Sequence, residues 1–318
     1  MSAFLIKIIA SICMLIDHTG AVFPVSTPFI LRLIGRIAFP IYAYMIAQGC
    51  KHTKNINKYL LRLGIFALIS EIPFDIAFKR YTMDGVLNLN INFFAETNVF
   101  YTLFLGAACI AIYERVKTKK RPLLALVPLL IIPAAVIPAF IFQDMISWRI
   151  LLSIGFLIYL AVELFLSHCL PESEASGKIM LSRKILSLIL TVPVFMLGSI
   201  LDTDYGMYGV IFILFFYLMK PENRITRTIA MVCVVFLKYG YPYVWTLCNE
   251  HGINLFTLPG QMMFLENSFA PFCFAFAAVP FVFLYNGKQG PKIKWAFYAF
   301  YPVHIAVLAA SWFVFERL

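Results

Sequence analysis

Apolar runs long enough to cross a bilayer, each about 20 residues for some 30 Å of hydrocarbon, recur along this sequence from one end to the other, separated by short polar gaps. The pattern predicts about eleven spans, at residues 3–24, 29–50, 58–78, 97–114, 123–142, 148–170, 185–202, 206–219, 228–248, 268–286 and 295–315. The short eighth run and the fifth, interrupted by Pro128, Pro133 and Pro138, carry the weakest signal. The expected fold is an all-α, polytopic transmembrane helix bundle, one integral-membrane domain over residues 1–318 with no internal repeat. The first run holds Asp17 and His18 and no small-residue cleavage site, so it reads as a retained span rather than a signal peptide.

Composition strengthens this picture. Of the 318 residues, 62% are hydrophobic and 13% charged, with mean hydropathy +0.86, whereas a soluble domain carries about 25% charged residues. No soluble core hides that much apolar surface. The seven cysteines (Cys13, Cys50, Cys109, Cys169, Cys233, Cys248 and Cys273) lie within or beside apolar runs without a CxxC pair. They are expected as small buried apolar residues, with no disulfide framework and no metal site.

The formal charge of +10 invites a nucleic-acid reading, but Lys and Arg sit in the short gaps without forming a basic domain, and no nucleic-acid partner is expected. One alternate set of gaps holds eighteen basic residues, from Lys51, Lys54, Lys58 and Arg62 to Lys288, Lys292 and Lys294, with the run Arg115 to Arg121 among them. The other holds five: Lys79, Arg80, Arg149, Lys238 and Arg317. The richer set is expected to be cytoplasmic, which puts the N-terminus inside and, with eleven spans, the C-terminus outside. The longest outer gaps, 79–96 with Asn88, Asn90 and Asn92 and 249–267 with Pro259-Gly260, read as lids, acceptor-binding loops or ordinary surface loops. Segment 171–178 is a solvated connector.

Charge inside a span costs about 2.5–3.5 kcal/mol per residue on insertion scales, so such residues face the protein interior and often mark function. They concentrate in the first three spans: Lys7, Asp17 and His18, then Arg32 and Arg36, then Glu71 and Asp75. With the N-terminus inside, all but Lys7 fall at a similar outer level. Arg32/Arg36 and Glu71/Asp75 each share a helix face. They either neutralise one another to fix helix register or build a site, which Asn98, Asp202 and Asp204 at the outer ends of later spans could join.

His18 is the candidate general base, since an imidazole titrates near neutrality and a carboxylate can hold its tautomer. Asp17 either serves that purpose or, because neighbouring helix residues point about 100° apart, pairs with an arginine of the second span. Lys7 lies eleven residues earlier on the same face, about 16 Å lower along the axis. A cation below a base suits a long anionic cofactor entering from the cytoplasm; the alternative is a lysine reaching to the inner headgroups. His304, beside Tyr301 in the last span, is either a structural hydrogen-bond partner or a second site residue.

Six segments then identify a resemblance: Met14-Leu-Ile-Asp17-His18-Thr-Gly20; Arg32-Leu-Ile-Gly35-Arg36-Ile-Ala-Phe39-Pro40; Tyr59-Leu-Leu-Arg62 with Ser70-Glu71-Ile-Pro73-Phe-Asp75; Asn98-Val-Phe-Tyr-Thr102; and Tyr298-Ala-Phe-Tyr301-Pro302-Val-His304. Across nearly the whole chain the sequence resembles the TraX family, membrane proteins of bacterial conjugation associated with acetylating the pilin N-terminus. That family is similar in turn to the wider transmembrane acyltransferases, in which a histidine of an early span acts as base and an arginine often lies eleven residues before it. Here that position is Lys7, which keeps the charge without the bidentate fork.

The resemblance implies a membrane-embedded acetyltransferase that moves an acetyl group from cytoplasmic acetyl-CoA to an amine or hydroxyl outside: a pilin N-terminus, a glycan or an envelope polymer. His18, Asp17, Arg36 and Glu71 are its expected catalytic residues, with Lys7, Arg32, Asp75, Asn98, Tyr301 and His304 binding substrate or donor. Direct transfer and an acetyl-histidine intermediate both fit. A secondary transporter and a non-catalytic appendage-assembly factor are the alternatives; a transporter predicts midplane charges and two related halves, against the lopsided cluster seen here.

Overall fold

A computed structural model of the chain describes residues 1–79, 91–94, 96–118, 154–155, 157–159, 161–162, 177–219, 223–240, 269–291 and 293–315. The fifth predicted span with its three prolines, most of the sixth, the connector to residue 176, the end of the ninth span, the 249–267 loop, Asn88 and Asn90 lie outside the described residues. Those described are overwhelmingly helical, and none of them is in a β-strand. Among the described residues, five helices are long and apolar enough to cross a membrane: Ala3–Val22, Ile30–His52, Val99–Lys117, Ser182–Ile200 and Trp295–Phe315. They fall on the first, second, fourth, seventh and eleventh predicted spans.

The α-helices among the described residues are α1 (Ala3–Val22), α2 (Ile30–Gly35), α3 (Ala38–His52), α4 (Ile56–Phe78), α5 (Val99–Thr118), α6 (Gly177–Ile189), α7 (Val192–Ile200), α8 (Gly206–Leu218), α9 (Arg224–Val235), α10 (Ala270–Phe276), α11 (Ala278–Phe283) and α12 (Lys294–Phe315). The predicted second span is thus broken at Arg36, the C-cap of α2. The third is the 23-residue α4, about 34 Å long. It is the most charged of the long helices because it carries Lys58, Arg62, Glu71 and Asp75.

Several helices turn bulky apolar side chains outward. On α4 these are Leu61, Ile65, Leu68 and Ile72; on α1, Leu5, Ile12 and Leu15; on α12, Val303, Val307 and Val314. Spacings of three, four and seven residues place each set on one helix face. Such stripes are too large for a water-facing surface and match a lipid-facing one. Polar and ionisable groups lie on the opposite faces, as the cost of charge in hydrocarbon requires.

The chain divides into two compact units. The first contains residues 1–48, 72–90 and 215–318. Here α1 packs on α2 and on α12. Residues 1–4 bond to the 286–289 backbone, Phe4 meets Phe297 at 5.9 Å, and His18 meets Tyr301 and His304. The order of these contacts shows that α1 and α12 run in the same direction.

The second unit contains residues 49–71 and 91–214. Its α5 is apolar around its circumference and buries Leu105, Ala108, Cys109 and Ile112 almost completely. α5 packs on α6 and α7. Where α5 begins and α7 ends, Thr97 N–H donates to the Leu201 carbonyl and Asp204 N–H to the Thr97 carbonyl. The Thr102 and Thr203 hydroxyls add a buried bond of 3.0 Å. Asp202 reaches this turn through the left-handed region, at φ 47, one of the few side-chain types that does so readily.

Candidate functional site

The first unit builds a buried histidine pair. His18 comes from α1 and His304 from α12, and each is less than a tenth exposed. Nδ1 of His18 lies 2.7 Å from Nε2 of His304, and Nδ1 of His304 lies 2.6 Å from the Phe300 carbonyl one turn earlier. The tautomers follow from one fixed point. A carbonyl only accepts, so His304 Nδ1 carries a hydrogen; in the neutral ring its Nε2 is then an acceptor. His18 must therefore donate from Nδ1, and its Nε2 is left as a lone pair with no hydrogen-bond partner among the described residues.

Aromatic rings hold this geometry. Phe78, at the end of α4, and Tyr301 meet the His18 ring edge-on at 5.2 and 5.7 Å. Tyr301 also meets His304 edge-on at 5.7 Å, and Phe300 stacks on His304 at 4.6 Å. Tyr301 is thereby a buried wall of the pair.

Asp17 serves a different partner. Its Oδ1 lies 2.9 Å from Arg32 Nη1, and the same guanidinium nitrogen donates to the Asp17 carbonyl at 3.2 Å. Of the two arrangements open from the sequence, Asp17 takes the pairing with an arginine of the second span; the side chain bonded to His18 Nδ1 is His304. Glycines make this possible. A Cβ at Gly35 would fall on the Asp17 side chain, and one at Gly20 would lie 3.0 Å from Leu31 Cβ and 3.4 Å from Arg32 Cδ. Both glycines stand inside conspicuous sequence motifs, yet the motifs alone give them no task. Their signal was the recurrence of a small residue beside charged ones in two helices that must touch.

The other expected residues separate. Asp75 is buried in the first unit beside Lys79, 2.6 Å away on the next turn of the chain, and lies three residues before Phe78. Lys7 sits 5.6 Å from the Phe297 ring centroid, so α12 receives both the cation and the base of α1. Arg36 closes α2 and lies four residues from Arg32.

Glu71 and Asn98 belong to the second unit and meet there. Glu71 Oε2 accepts from Asn98 Nδ2 at 2.6 Å and from its backbone N–H at 3.1 Å. Asn98 Nδ2 also donates to the Ala67 carbonyl, and its Oδ1 accepts from Phe100 N–H at the start of α5. Both residues are fully buried. This is a helix-docking node, with the cap of α5 tied to α4. Asp204 joins that region through its backbone bond to Thr97.

The fold and site define an all-helical membrane protein with an oriented, buried histidine pair between its first and last described helices. The model of the TraX protein family matches residues 2–168 and 156–310, and the chain belongs to that family. Over 323 aligned residues it is 26% identical to the probable fimbrial assembly protein FimC, serogroup H1, of Dichelobacter nodosus, with 98% of this chain and 95% of that protein covered. No solved structure matches it.

Proposed function

We propose that this protein is a membrane-embedded acetyltransferase of the bacterial plasma membrane, with His18 Nε2 as its general base, serving the assembly of a surface appendage. The observation that carries the reading is the hydrogen-bond chain from the Phe300 carbonyl through His304 to His18, which leaves one basic nitrogen. Acetyl-CoA is the donor in this reading. The acceptor amine or hydroxyl attacks the acetyl carbon and loses its proton to His18 Nε2. The carbon–sulfur bond breaks, and the proton passes to the departing thiolate, so that His18 returns to its starting state.

Each neighbour has a task in this step. Neutral His304 keeps His18 in the reactive tautomer and accepts a charge-assisted bond from it once it is protonated. Asp17 cancels the charge of Arg32 next to the imidazole, limiting its repulsion of a histidinium. Lys7 offers a cation about 16 Å below the base for the donor. Glu71 and Asn98, expected as catalytic and binding residues, act in this reading on the docking of α4 and α5. The parallel course of α1 and α12 supports an odd number of crossings, with the ends of the bundle on opposite sides. Purified protein in lipid nanodiscs with radiolabelled acetyl-CoA and an amine acceptor tests the proposal: wild type should transfer label and His18→Ala should not. Full activity in that variant overturns the mechanism.

The name of the Dichelobacter nodosus relative, a probable fimbrial assembly protein, favours a second reading, a non-catalytic assembly factor in which the histidine pair fixes helix packing. It predicts no turnover in the same experiment, and loss of surface appendages in cells only when a substitution unfolds the protein.

A further inference from the structure

Arg227 is a buried charge of the first unit that the histidine site does not use. It lies on α9 and is 6% exposed. Arginine does not shed its proton in a protein, so this side chain is a permanent cation away from water. Among the described residues no carboxylate pairs with it. Its guanidinium stands 5.4 Å over the Tyr285 ring and close to the Tyr44 hydroxyl. Among the described residues Arg227 Nε has no hydrogen-bond partner. Tyr44 and Tyr285 are themselves buried and meet edge-on at 5.9 Å.

The backbone adds charge of the same sign. Arg227 lies in the opening turns of α9, which is capped by Asn223 and has no acidic residue in its first turn. Arg224 opens the helix, 6.0 Å from the Phe283 ring. The positive end of the helix dipole and two arginines thus converge where acidic residues would ordinarily sit. A guanidinium fork, an unused Nε donor and a tyrosine hydroxyl form a receptor for an anion with several oxygens, which is to say a phosphate.

Its place in the unit suggests which phosphate. Tyr285 adjoins the 286–289 segment that bonds to residues 1–4, so Arg227 lies at the N-terminal end of α1. His18 is fifteen residues beyond Ala3, about 22 Å of helix rise. We infer that Arg227, with Tyr44 and Tyr285, binds the phosphate groups of the acyl donor, whose thioester arm extends along α1 toward His18. The inference rests on the acetyl-transfer reading for the arm's destination, but the anion site of Arg227, Tyr44 and Tyr285 stands without it.

Binding of CoA to the full-length protein in phosphatidylcholine nanodiscs tests it, compared for wild type, His18→Ala, Arg227→Gln and Tyr44→Phe. Wild type and His18→Ala should bind alike. Arg227→Gln should weaken CoA by about tenfold or more, the value of one charge-assisted hydrogen bond, and Tyr44→Phe by severalfold. Should Arg227→Gln fail to fold, Tyr44→Phe decides. Pantetheine, which lacks phosphate, should not distinguish the variants. CoA binding unchanged in folded Arg227→Gln, or in Tyr44→Phe where that variant decides, overturns the inference. So does an Arg227-dependent stabilisation produced by phosphatidylglycerol in the bilayer and not by CoA, which would make this a lipid-headgroup site. Arg227-dependent CoA binding without any acetyl turnover would instead refute the transfer reading and leave the anion site in place.

Discussion

His18 Nδ1 lies 2.7 Å from His304 Nε2 although the two residues are 286 positions apart in the chain. Because the far side of His304 is bonded to the Phe300 carbonyl, the relationship has a direction: hydrogen is donated from His18 to His304 to the carbonyl. A nitrogen of an early helix is thereby set by the backbone of the last one.

That direction separates His304 from a merely space-filling residue. His304→Gln offers an amide oxygen that can still accept from His18 Nδ1, whereas His304→Ala cannot. Acetyl transfer should fall in the alanine variant by about a hundredfold in kcat, within the usual range for general base catalysis, with KM little changed, and should recover substantially in the glutamine variant. Nitrogen-15 spectra of histidine-labelled protein give a readout independent of turnover: His18 should carry its hydrogen on Nδ1 in wild type and in His304→Gln, and lose that preference in His304→Ala.

The pairing of Asp17 with Arg32 should appear as energetic coupling. A thermal-denaturation cycle of Asp17→Asn, Arg32→Gln and the double variant should give about 1 kcal/mol, above the few tenths common for exposed pairs, because the pair is partly buried. Additive effects would show that the two side chains do not pair in the bilayer.

Gly35→Ala should be costly because its methyl takes the space of the Asp17 side chain. Overpacking of this kind costs about 1–3 kcal/mol, and in this background the Asp17–Arg32 coupling should shrink. Gly20→Ala, with its nearest neighbour at 3.0 Å, should be milder. Melting temperatures of the two variants in one detergent provide the comparison.

In the second unit, Asn98→Ala removes both the cap on Phe100 and the amide bonded to Glu71. Loss of a helix cap and of a buried hydrogen bond to a charged group together should cost about 2–4 kcal/mol. Asn98→Asp should be worse still, since it sets a second buried carboxylate against Glu71. Denaturation in mild detergent ranks the two; an aspartate variant as stable as wild type would contradict the bond.

Reporter fusions test the course of the helices. With α1 and α12 parallel, a green fluorescent protein placed before α1 should fluoresce in the cytoplasm and an alkaline phosphatase placed after α12 should be active outside. Two cytoplasmic ends would require an even number of crossings.

The sequence by itself determined the helical, membrane-spanning class, because the need to satisfy backbone groups in hydrocarbon leaves a run of apolar residues few other structures. It also singled out the residues worth attention, since charge in an apolar span is expensive enough to stand out: His18, Glu71, Asp75 and His304 proved buried, and Asp17 and Arg32 partly so. What it could not determine was pairing. A helix period says which residues share a face of one helix, but nothing about which helix that face meets. Only the tertiary structure matched His18 with His304, gave Asp17 to Arg32, and placed Glu71 with Asn98. Those matches depend on close approaches such as that of Gly35 to Asp17, where the deciding feature is a side chain that is absent.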